Sequence, residues 1–281
     1  HLVEQVSGTD YASYLRENIF APLGMSRSGI DVPPALREDA AVGYGFAGEW
    51  EAMPWEYMNT APASSVNATV TDMAHLAIML LGDGEFEGRR VLSRQSVDAM
   101  LSRQFTNDPN QPGYGYLFFE DEWNGITTFS HGGSMEGFGA MLYLVPEYDL
   151  GIFIACNQES SAVIDPVIER LLGALFPTAH PKPLRHRYRG DIDLSRFTGT
   201  YANNMYHHGD PDTGWKRRPF ELEATDEGTL MFDGAPAWPV GPLTFQREDG
   251  LLLSFRENDE GEIAYLFVKQ AAYEKLEPST P

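Results

Sequence analysis

Apolar residues recur at helical spacing in several segments of the first hundred residues. The clearest segment is 69–84 (TVTDMAHLAIMLLGDG), where the apolar side chains fall on one face of a helix. Thr69 and Asp72 fit a capping box at its start, and Gly82 can end it. Near the N-terminus, Gly8 can end a helix whose start is expected upstream of this sequence, and Thr9 can cap the next helix. Two further helices are predicted, one from Asp10 to about Ile19 and one capped by Ser93 that runs to about Leu101.

Beyond residue 113 the pattern changes to short apolar runs, which are typical of β-strands. The turn at 146–149 joins two of these runs into an antiparallel hairpin. An amphipathic segment at 165–176 predicts a closing helix. Helices followed by antiparallel strands and a closing helix predict an α+β domain in which helices pack against a sheet. The strand-like runs are YGYLFFE (114–120), GITTFS (125–130), FGAMLYLV (138–145) and LGIFIACN (150–157).

A proline-rich, basic segment at 177–190 (PTAHPKPLRHRYRG) predicts a linker. After it, short strand-like runs alternate with turns, and no helical period is present. This pattern predicts a small antiparallel barrel or sandwich. We therefore expect a first domain at 1–176, a linker at 177–190 and an all-β domain at 191–281.

Charge and composition exclude several classes of function. The formal net charge is −21, and so acidic a chain repels the phosphates of nucleic acids. No stretch approaches the roughly 18 apolar residues that a membrane-spanning helix needs. The single cysteine, Cys156, lies in an apolar run and is expected in the core. We therefore expect no nucleic-acid partner, no membrane span and no intrachain disulfide or cysteine-based metal site, and no cofactor is indicated.

The segment FSHGGSMEGFGA (129–140) holds four glycines, one histidine and two serines between two apolar runs. Two interpretations are open. The segment is either a glycine-rich bulge with an incidental histidine, or a place where the backbone must come close to a ligand. The neighbouring segments bear on this choice.

Three stretches follow one another along the first domain: VSGTDYASYLRENIFAPLGM (6–25), APASSVNATVTDMAHLAIML (61–80) and SHGGSMEGFGAMLYLVPEYDLGIFIACN (130–157). Together they resemble the serine β-lactamase and penicillin-binding-protein-like hydrolases of the class C type. The resemblance covers about residues 1–176 and implies a β-lactamase/transpeptidase-like layered domain. Residues 191–278 resemble, more loosely, the lipocalin-like β-domain that some members carry, which is a small barrel.

Catalysis in that family depends on three motifs: S-x-x-K with the serine nucleophile, Y-x-N, and K-T-G or H-x-G on a strand beside the cleft. His131-Gly132-Gly133 matches the third motif. The resemblance implies that Ser134 gives its N–H to the oxyanion hole and that His131 binds a substrate carboxylate or assists proton transfer. The glycines would let an acyl substrate lie against the strand.

The other two motifs are missing from their expected positions. No lysine precedes Lys182, so S-x-x-K cannot occur in the first domain. Tyr57-Met58-Asn59 has the letters of Y-x-N, but the family's motif comes just before a segment like HLVEQVSG. Tyr57 is therefore expected to line the rim of the cleft and bind substrate. We expect this sequence to begin inside the domain, incomplete at its N-terminus, with the nucleophile in an upstream segment of the same protein.

These features predict a serine hydrolase that acts through an acyl-enzyme on an ester, a peptide with a D-residue or a β-lactam. Histidine in place of the lysine of K-T-G favours an esterase or peptidase over a β-lactamase. The alternative is a non-catalytic ligand-binding protein that keeps the cleft without the nucleophile. The expected partners are a small-molecule or peptide substrate and the upstream segment, and the resemblance suggests a periplasmic or secreted protein.

A long loop of the second domain, 204–218, is rich in groups that contact ligands. We expect it to bind substrate through Tyr206 and Trp215. His207 and His208 in MYHHGDPD suggest a metal cluster, but adjacent histidines point apart in an extended segment. A polar hairpin loop explains this composition better, so no metal site is predicted.

Overall fold

The computed structural model describes residues 1–32, 34–55, 60–158, 161–177, 185–204 and 218–277. The chain forms two compact units. The first contains residues 1–102 and 115–177, and the second contains residues 103–114 and 178–281. Because residues 103–114 leave the first unit and the chain then returns to it, the chain passes between the units three times.

The helices of the first unit begin and end largely where the sequence predicts. Gly8 ends the first helix in the left-handed conformation, with a φ of 70°. Asp10, and not the predicted Thr9, caps the second helix, and its Oδ1 accepts a hydrogen bond from Ser13 N at 2.9 Å. That helix continues as a π-helix over Arg16–Phe20. The α-helices are α1 (Leu2–Ser7), α2 (Tyr11–Leu15), α3 (Ala61–Ser64), α4 (Val70–Leu81), α5 (Arg94–Met100) and α6 (Ser161–Leu175), with 3-10 turns at Pro34–Asp39 and Pro146–Tyr148.

The predicted capping box of α4 forms in part. Thr69 Oγ1 accepts a hydrogen bond from Asp72 N at 3.1 Å, as predicted. The Asp72 carboxylate is buried and instead accepts hydrogen bonds from Arg27 N at 2.9 Å and Ser28 Oγ at 2.7 Å. Aspartate is one methylene shorter than the glutamate of the usual box, and here it satisfies donors from a loop. Asp72 therefore ties that loop to the first turn of α4.

Six short strands form three two-stranded ribbons outside the main sheet of this unit. β1 pairs with β4, β2 with β3 and β5 with β6, all antiparallel. Their bounds are Gly29–Ile30 (β1), Tyr44–Phe46 (β2), Trp50–Ala52 (β3), Val66–Asn67 (β4), Glu85–Phe86 (β5) and Arg89–Arg90 (β6).

One four-stranded antiparallel sheet forms the centre of the first unit. Its strands are β7 (Phe119–Trp123), β8 (Ile126–Met135), β9 (Phe138–Val145) and β10 (Leu150–Cys156), and their order across the sheet is β10-β9-β8-β7. The predicted hairpin between β9 and β10 is confirmed, and Asp149 closes its turn with a φ of 48°.

Two strand boundaries differ from the prediction. The run at 114–120 becomes a strand only at Phe119, because Leu117 has a φ of 73° and an extended strand cannot pass through that conformation. Strand β8 does not end at Ser130. It continues through the glycines to Met135, because its partner β9 pairs with it along that whole length.

Helices cover both faces of the sheet, which confirms the predicted α+β layers. Side chains alternate between faces along β8, and its even-numbered residues face α6. Ile164, Ile168 and Leu172 of α6 are buried there with Ile126. The odd-numbered residues, among them Phe129, face a core to which α4 and the π-helix contribute. His131 belongs to this second face.

The second unit is a closed antiparallel barrel of eight strands, in which each strand pairs with the next and the last pairs with the first. Closure excludes the sandwich that the pattern had left open. Aromatic side chains fill its interior: the ring centroid of Phe197 lies 5.0 Å from that of Phe245 and 4.9 Å from that of Phe255. Burial raises the pKa of Tyr201, whose OH donates to Phe197 O at 2.8 Å. The strands are β11 (Gly199–Asn203), β12 (Pro219–Ala224), β13 (Leu230–Phe232), β14 (Ala235–Gly241), β15 (Thr244–Arg247), β16 (Leu252–Glu257), β17 (Ile263–Val268) and β18 (Ala271–Lys275), preceded by a 3-10 turn at Leu194–Arg196.

Residues 103–114 pack with the barrel, although the sequence analysis assigned them to the first domain. Gln111 is 2% exposed. Its Nε2 donates to Leu252 O at 3.0 Å and lies 3.1 Å from both Ser254 Oγ and Phe267 O. Its Oε1 accepts a hydrogen bond from Lys269 N at 2.8 Å. One glutamine side chain therefore joins this segment to β16, β17 and the turn that follows β17.

Candidate active site

Strand β8 is longer than its neighbour β7, and its extra length is the glycine-rich segment. The pairing of β7 with β8 runs from Trp123↔Ile126 to Phe119↔Ser130. Residues 131–135 continue to pair with β9 on the other side. Five residues of β8 therefore lie past the end of β7, and among the described residues no strand pairs with them on that side.

His131 is the first of these five residues, and its side chain is exposed. It lies on the same face of the strand as Phe129 and Gly133. Its imidazole stacks on the ring of Phe119, with centroids 6.0 Å apart and planes inclined by 25°. Within the described ranges no hydrogen bond or ion pair engages the His131 ring, so both of its nitrogens can serve a ligand.

Gly133 has open space where a side chain would stand. A Cβ built on Gly133 meets no heavy atom of the described residues within 4 Å. A Cβ on Gly132, which points to the other face, would lie 3.1 Å from Met141 Cε. The space next to His131, on its own face of the sheet, is therefore where a ligand can lie against the backbone.

Ser134 follows on the same strand and pairs with Gly139. After it the chain turns tightly at 136–137, where Gly137 has a φ of 78°. The structure thus places the four residues predicted as catalytic at the end of β8, past the end of β7. The three residues predicted to bind substrate, Tyr57, Tyr206 and Trp215, lie outside the described residues, as do His207 and His208.

Two other titratable side chains of this unit, His75 and Tyr143, are engaged in contacts within the fold. His75 Nδ1 lies 2.8 Å from Leu23 O, and its ring packs at a tilt against that of Phe86, with centroids 4.7 Å apart. Tyr143 OH donates to Thr128 Oγ1 at 3.0 Å on the face that α6 covers. Burial raises the pKa of Tyr143 despite this hydrogen bond, so its phenol stays neutral. The face that α6 covers is opposite to the face of His131.

Residues 1–177 contain no lysine, so no S-x-x-K motif occurs among them. Among the described residues, no group of three or more histidine, cysteine, aspartate or glutamate side chains is arranged to hold a metal ion. In the same part of the chain, no helix combines the length and the apolar character that crossing a membrane requires.

Comparison with known proteins identifies this arrangement. The family model described as beta-lactamase matches residues 1–174, which include all four strands of the sheet and the end of β8. The chain belongs to the beta-lactamase family. This is a family of serine hydrolases, and the resemblance of the first domain to it is confirmed.

The beta-lactamase family match is accompanied by relatives and solved structures of low sequence identity. Penicillin-binding protein 4 of Amycolatopsis lactamdurans is 26% identical over 224 residues, covering 71% of this chain and 56% of that protein. The octameric penicillin-binding protein homologue from Pyrococcus abyssi has a TM-score of 0.55 at 20% identity, covering 98% of this chain and 62% of that one. SurE has a TM-score of 0.56 at 19% identity, covering 98% of this chain and 65% of SurE.

This family member spans only part of the length of its relatives. Across the curated relatives that it matches, the chain covers 32% to 56% of their length. The structural matches to the Pyrococcus abyssi protein and to SurE extend over the barrel as well as the first unit. The predicted pairing of a β-lactamase-like domain with a lipocalin-like barrel is therefore confirmed.

Nothing in the sequence indicated that Phe119 contacts a residue of the candidate site. It lay within a run that was predicted to be a strand throughout, and nothing in that run distinguished it from Phe118. The structure separates the two: Phe118 is 5% exposed and belongs to the core, whereas Phe119 is 41% exposed and contacts His131.

Proposed function

We propose that the complete protein is a serine hydrolase that forms an acyl-enzyme with an ester or with a peptide that contains a D-residue. Residues 131–134 form one wall of its active site. The observation that carries this proposal is the end of β8, where an exposed histidine stands beside a glycine with open space, past the end of the neighbouring strand. Membership of a hydrolase family supports the reaction class.

The backbone of residues 131–135 explains how such a substrate binds. An extended acyl chain can lie along the strand and form main-chain hydrogen bonds, as an added strand does. Open space at Gly133 lets it approach. The N–H of Ser134 donates to the oxyanion that develops on the attacked carbonyl, as one of the donors of the oxyanion hole.

His131 favours an ester or peptide over a β-lactam in this proposal. Imidazole can donate and accept protons near neutral pH, so it can bind a carboxylate or move a proton, whereas a lysine mainly supplies a fixed positive charge. One solved structure with this fold is SurE with D-Leu, which makes peptides with a D-residue the first substrates to test. That likeness, at 18% identity, concerns the fold alone.

The nucleophile, in this proposal, belongs to an upstream segment of the same protein. Residues 1–181 contain no lysine and thus no S-x-x-K. The curated relatives are longer than the part that this chain covers. We expect a fluorophosphonate probe to label one serine of the complete protein and none of the 281-residue chain, as read by mass spectrometry of the labelled peptides.

Heat-denatured samples of both proteins serve as controls for non-specific labelling. Labelling of Ser64, Ser65 or Ser134 in the folded 281-residue chain would contradict an upstream nucleophile.

A second function, a ligand-binding protein without catalysis, is favoured by the same absence of lysine. The two proposals differ in the complete gene. An upstream S-x-x-K and Y-x-N support the hydrolase, and their absence, together with no labelling of the complete protein, supports the binding protein.

Gly133→Val tests whether substrate occupies the space beside His131. We expect the fold to tolerate the new side chain, because a Cβ at this position meets no described atom within 4 Å and valine suits a strand. We expect the melting temperature to stay the same or rise slightly, while kcat/KM of the complete protein falls by roughly tenfold or more, because a misplaced substrate reacts slowly.

Thr127→Val is the matched control, because Thr127 is exposed on the same face of β8, near the opposite end of the strand from Gly133. Unchanged kcat/KM in Gly133→Val would place the substrate elsewhere.

A further inference from the structure

We infer that Phe119 is a positioning residue that holds the His131 imidazole in the orientation used for substrate. This inference rests on the proposed function, because it assigns His131 to the substrate site. It concerns a side chain on a different strand from the catalytic motif, in a run that the sequence analysis assigned to a plain strand.

His131 needs a partner to fix its ring. It lies one residue past the last β7–β8 pair, Phe119↔Ser130, and its side chain is exposed. An exposed side chain beyond the end of a neighbouring strand can turn about both of its torsion angles. A ligand that needs one orientation must then freeze this freedom, which weakens binding.

Phe119 supplies that partner from a fixed backbone position. Its backbone is held by the pairing with Ser130, the residue before His131. Its ring is 41% exposed, while the adjacent Phe118 is 5% exposed and fills the core. The Phe119 ring therefore lies largely outside the core, and it stacks on His131.

The geometry of the contact suits positioning. The ring centroids are 6.0 Å apart and the planes differ by 25°, which is within the range of offset-stacked aromatic pairs. Stacking uses the face of the imidazole and leaves both nitrogens on its edge for hydrogen bonds. A carboxylate partner would instead occupy one nitrogen. Phe119 can therefore orient the ring without competing with substrate.

Three variants test the inference. Phe119→Leu keeps an apolar side chain without an aromatic ring, Phe119→Ala removes most of the side chain, and Phe119→Tyr keeps the ring as the conservative rescue. In the 281-residue chain, histidine ring resonances are followed by NMR, and His131→Gln assigns His131 among the seven histidines. The Leu and Ala variants lose the aromatic ring, so the His131 resonances should shift in both. The Tyr variant keeps the ring, so its His131 resonances should stay in place.

The kinetic measurement uses the complete protein. We expect kcat/KM to fall about 3- to 10-fold in Phe119→Leu and Phe119→Ala, because substrate must then fix the orientation of one mobile side chain. In Phe119→Tyr kcat/KM should stay close to that of the unchanged protein. Melting temperatures should change little in Phe119→Leu. Unmoved His131 resonances in Phe119→Leu, or moved resonances with unchanged kcat/KM, overturn the inference.

A failure of the proposed function has a different signature. If His131→Ala leaves turnover unchanged while the Phe119 variants still shift the His131 resonances, the stacking is real but His131 has no role in hydrolysis. If His131→Ala lowers turnover and Phe119→Leu does not, only the positioning role of Phe119 fails.

Discussion

Replacing His131 with alanine in the complete protein is expected to lower kcat/KM about 100- to 1,000-fold, the range for losing one group that stabilises a transition state. Stability should change by less than about 0.5 kcal/mol, because the side chain is exposed and its described contact is one stacked ring. Steady-state kinetics with an ester substrate and thermal melting measure the two effects separately.

His75→Ala is the matched control, since His75 Nδ1 lies within hydrogen-bond distance of Leu23 O and its ring packs against Phe86. It should lower the melting temperature and leave turnover per folded molecule unchanged. If His131→Ala gives that pattern instead, His131 is a structural residue and the glycine-rich segment is a bulge with an incidental histidine.

Gln111→Ala is expected to destabilise the barrel unit by about 3 kcal/mol, because buried partners are left without hydrogen bonds. Nε2 of Gln111 reaches Leu252 O, Ser254 Oγ and Phe267 O, and Oε1 accepts from Lys269 N. For a unit of this size the melting temperature should fall by roughly 10 °C. Differential scanning calorimetry of the 281-residue chain measures it.

One further variant separates hydrogen bonding from packing, and a second serves as a control. Gln111→Glu keeps the shape but turns a carboxylate towards carbonyl oxygens, so it should be at least as destabilising at neutral pH. Asn110→Ala, at the exposed neighbour, should have little effect. A fall of less than about 2 °C in both Gln111 variants would mean that the segment 103–114 is held by other contacts.

Much of the fold could be predicted from local patterns, because those patterns have local causes. Gly8 ends a helix and Thr69 begins one through contacts within a few residues. The hairpin at 146–149 follows from apolar runs on either side of a short turn. The four predicted catalytic residues share the strand end because they are consecutive.

Contacts between distant residues could not be predicted in this way. Leu117 interrupts a run that reads as a strand, and a leucine gives no sign of a positive φ. The length of β8 depends on where β7 ends, so the open side of residues 131–135 appears only when both strands are known. Gln111 looks like an ordinary loop residue, and its partners lie more than a hundred positions away along the chain.

The path of residues 103–114 also bears on how such a two-part protein can arise. Residues 178–281 do not make up the whole barrel unit, because one part of it is encoded between α5 and β7. A recombination event that removed 178–281 would leave the Gln111 side chain without its four hydrogen-bond partners. Loss or exchange of the barrel would therefore require a second, compensating change in the internal segment. We therefore expect the internal segment and the barrel to be inherited together.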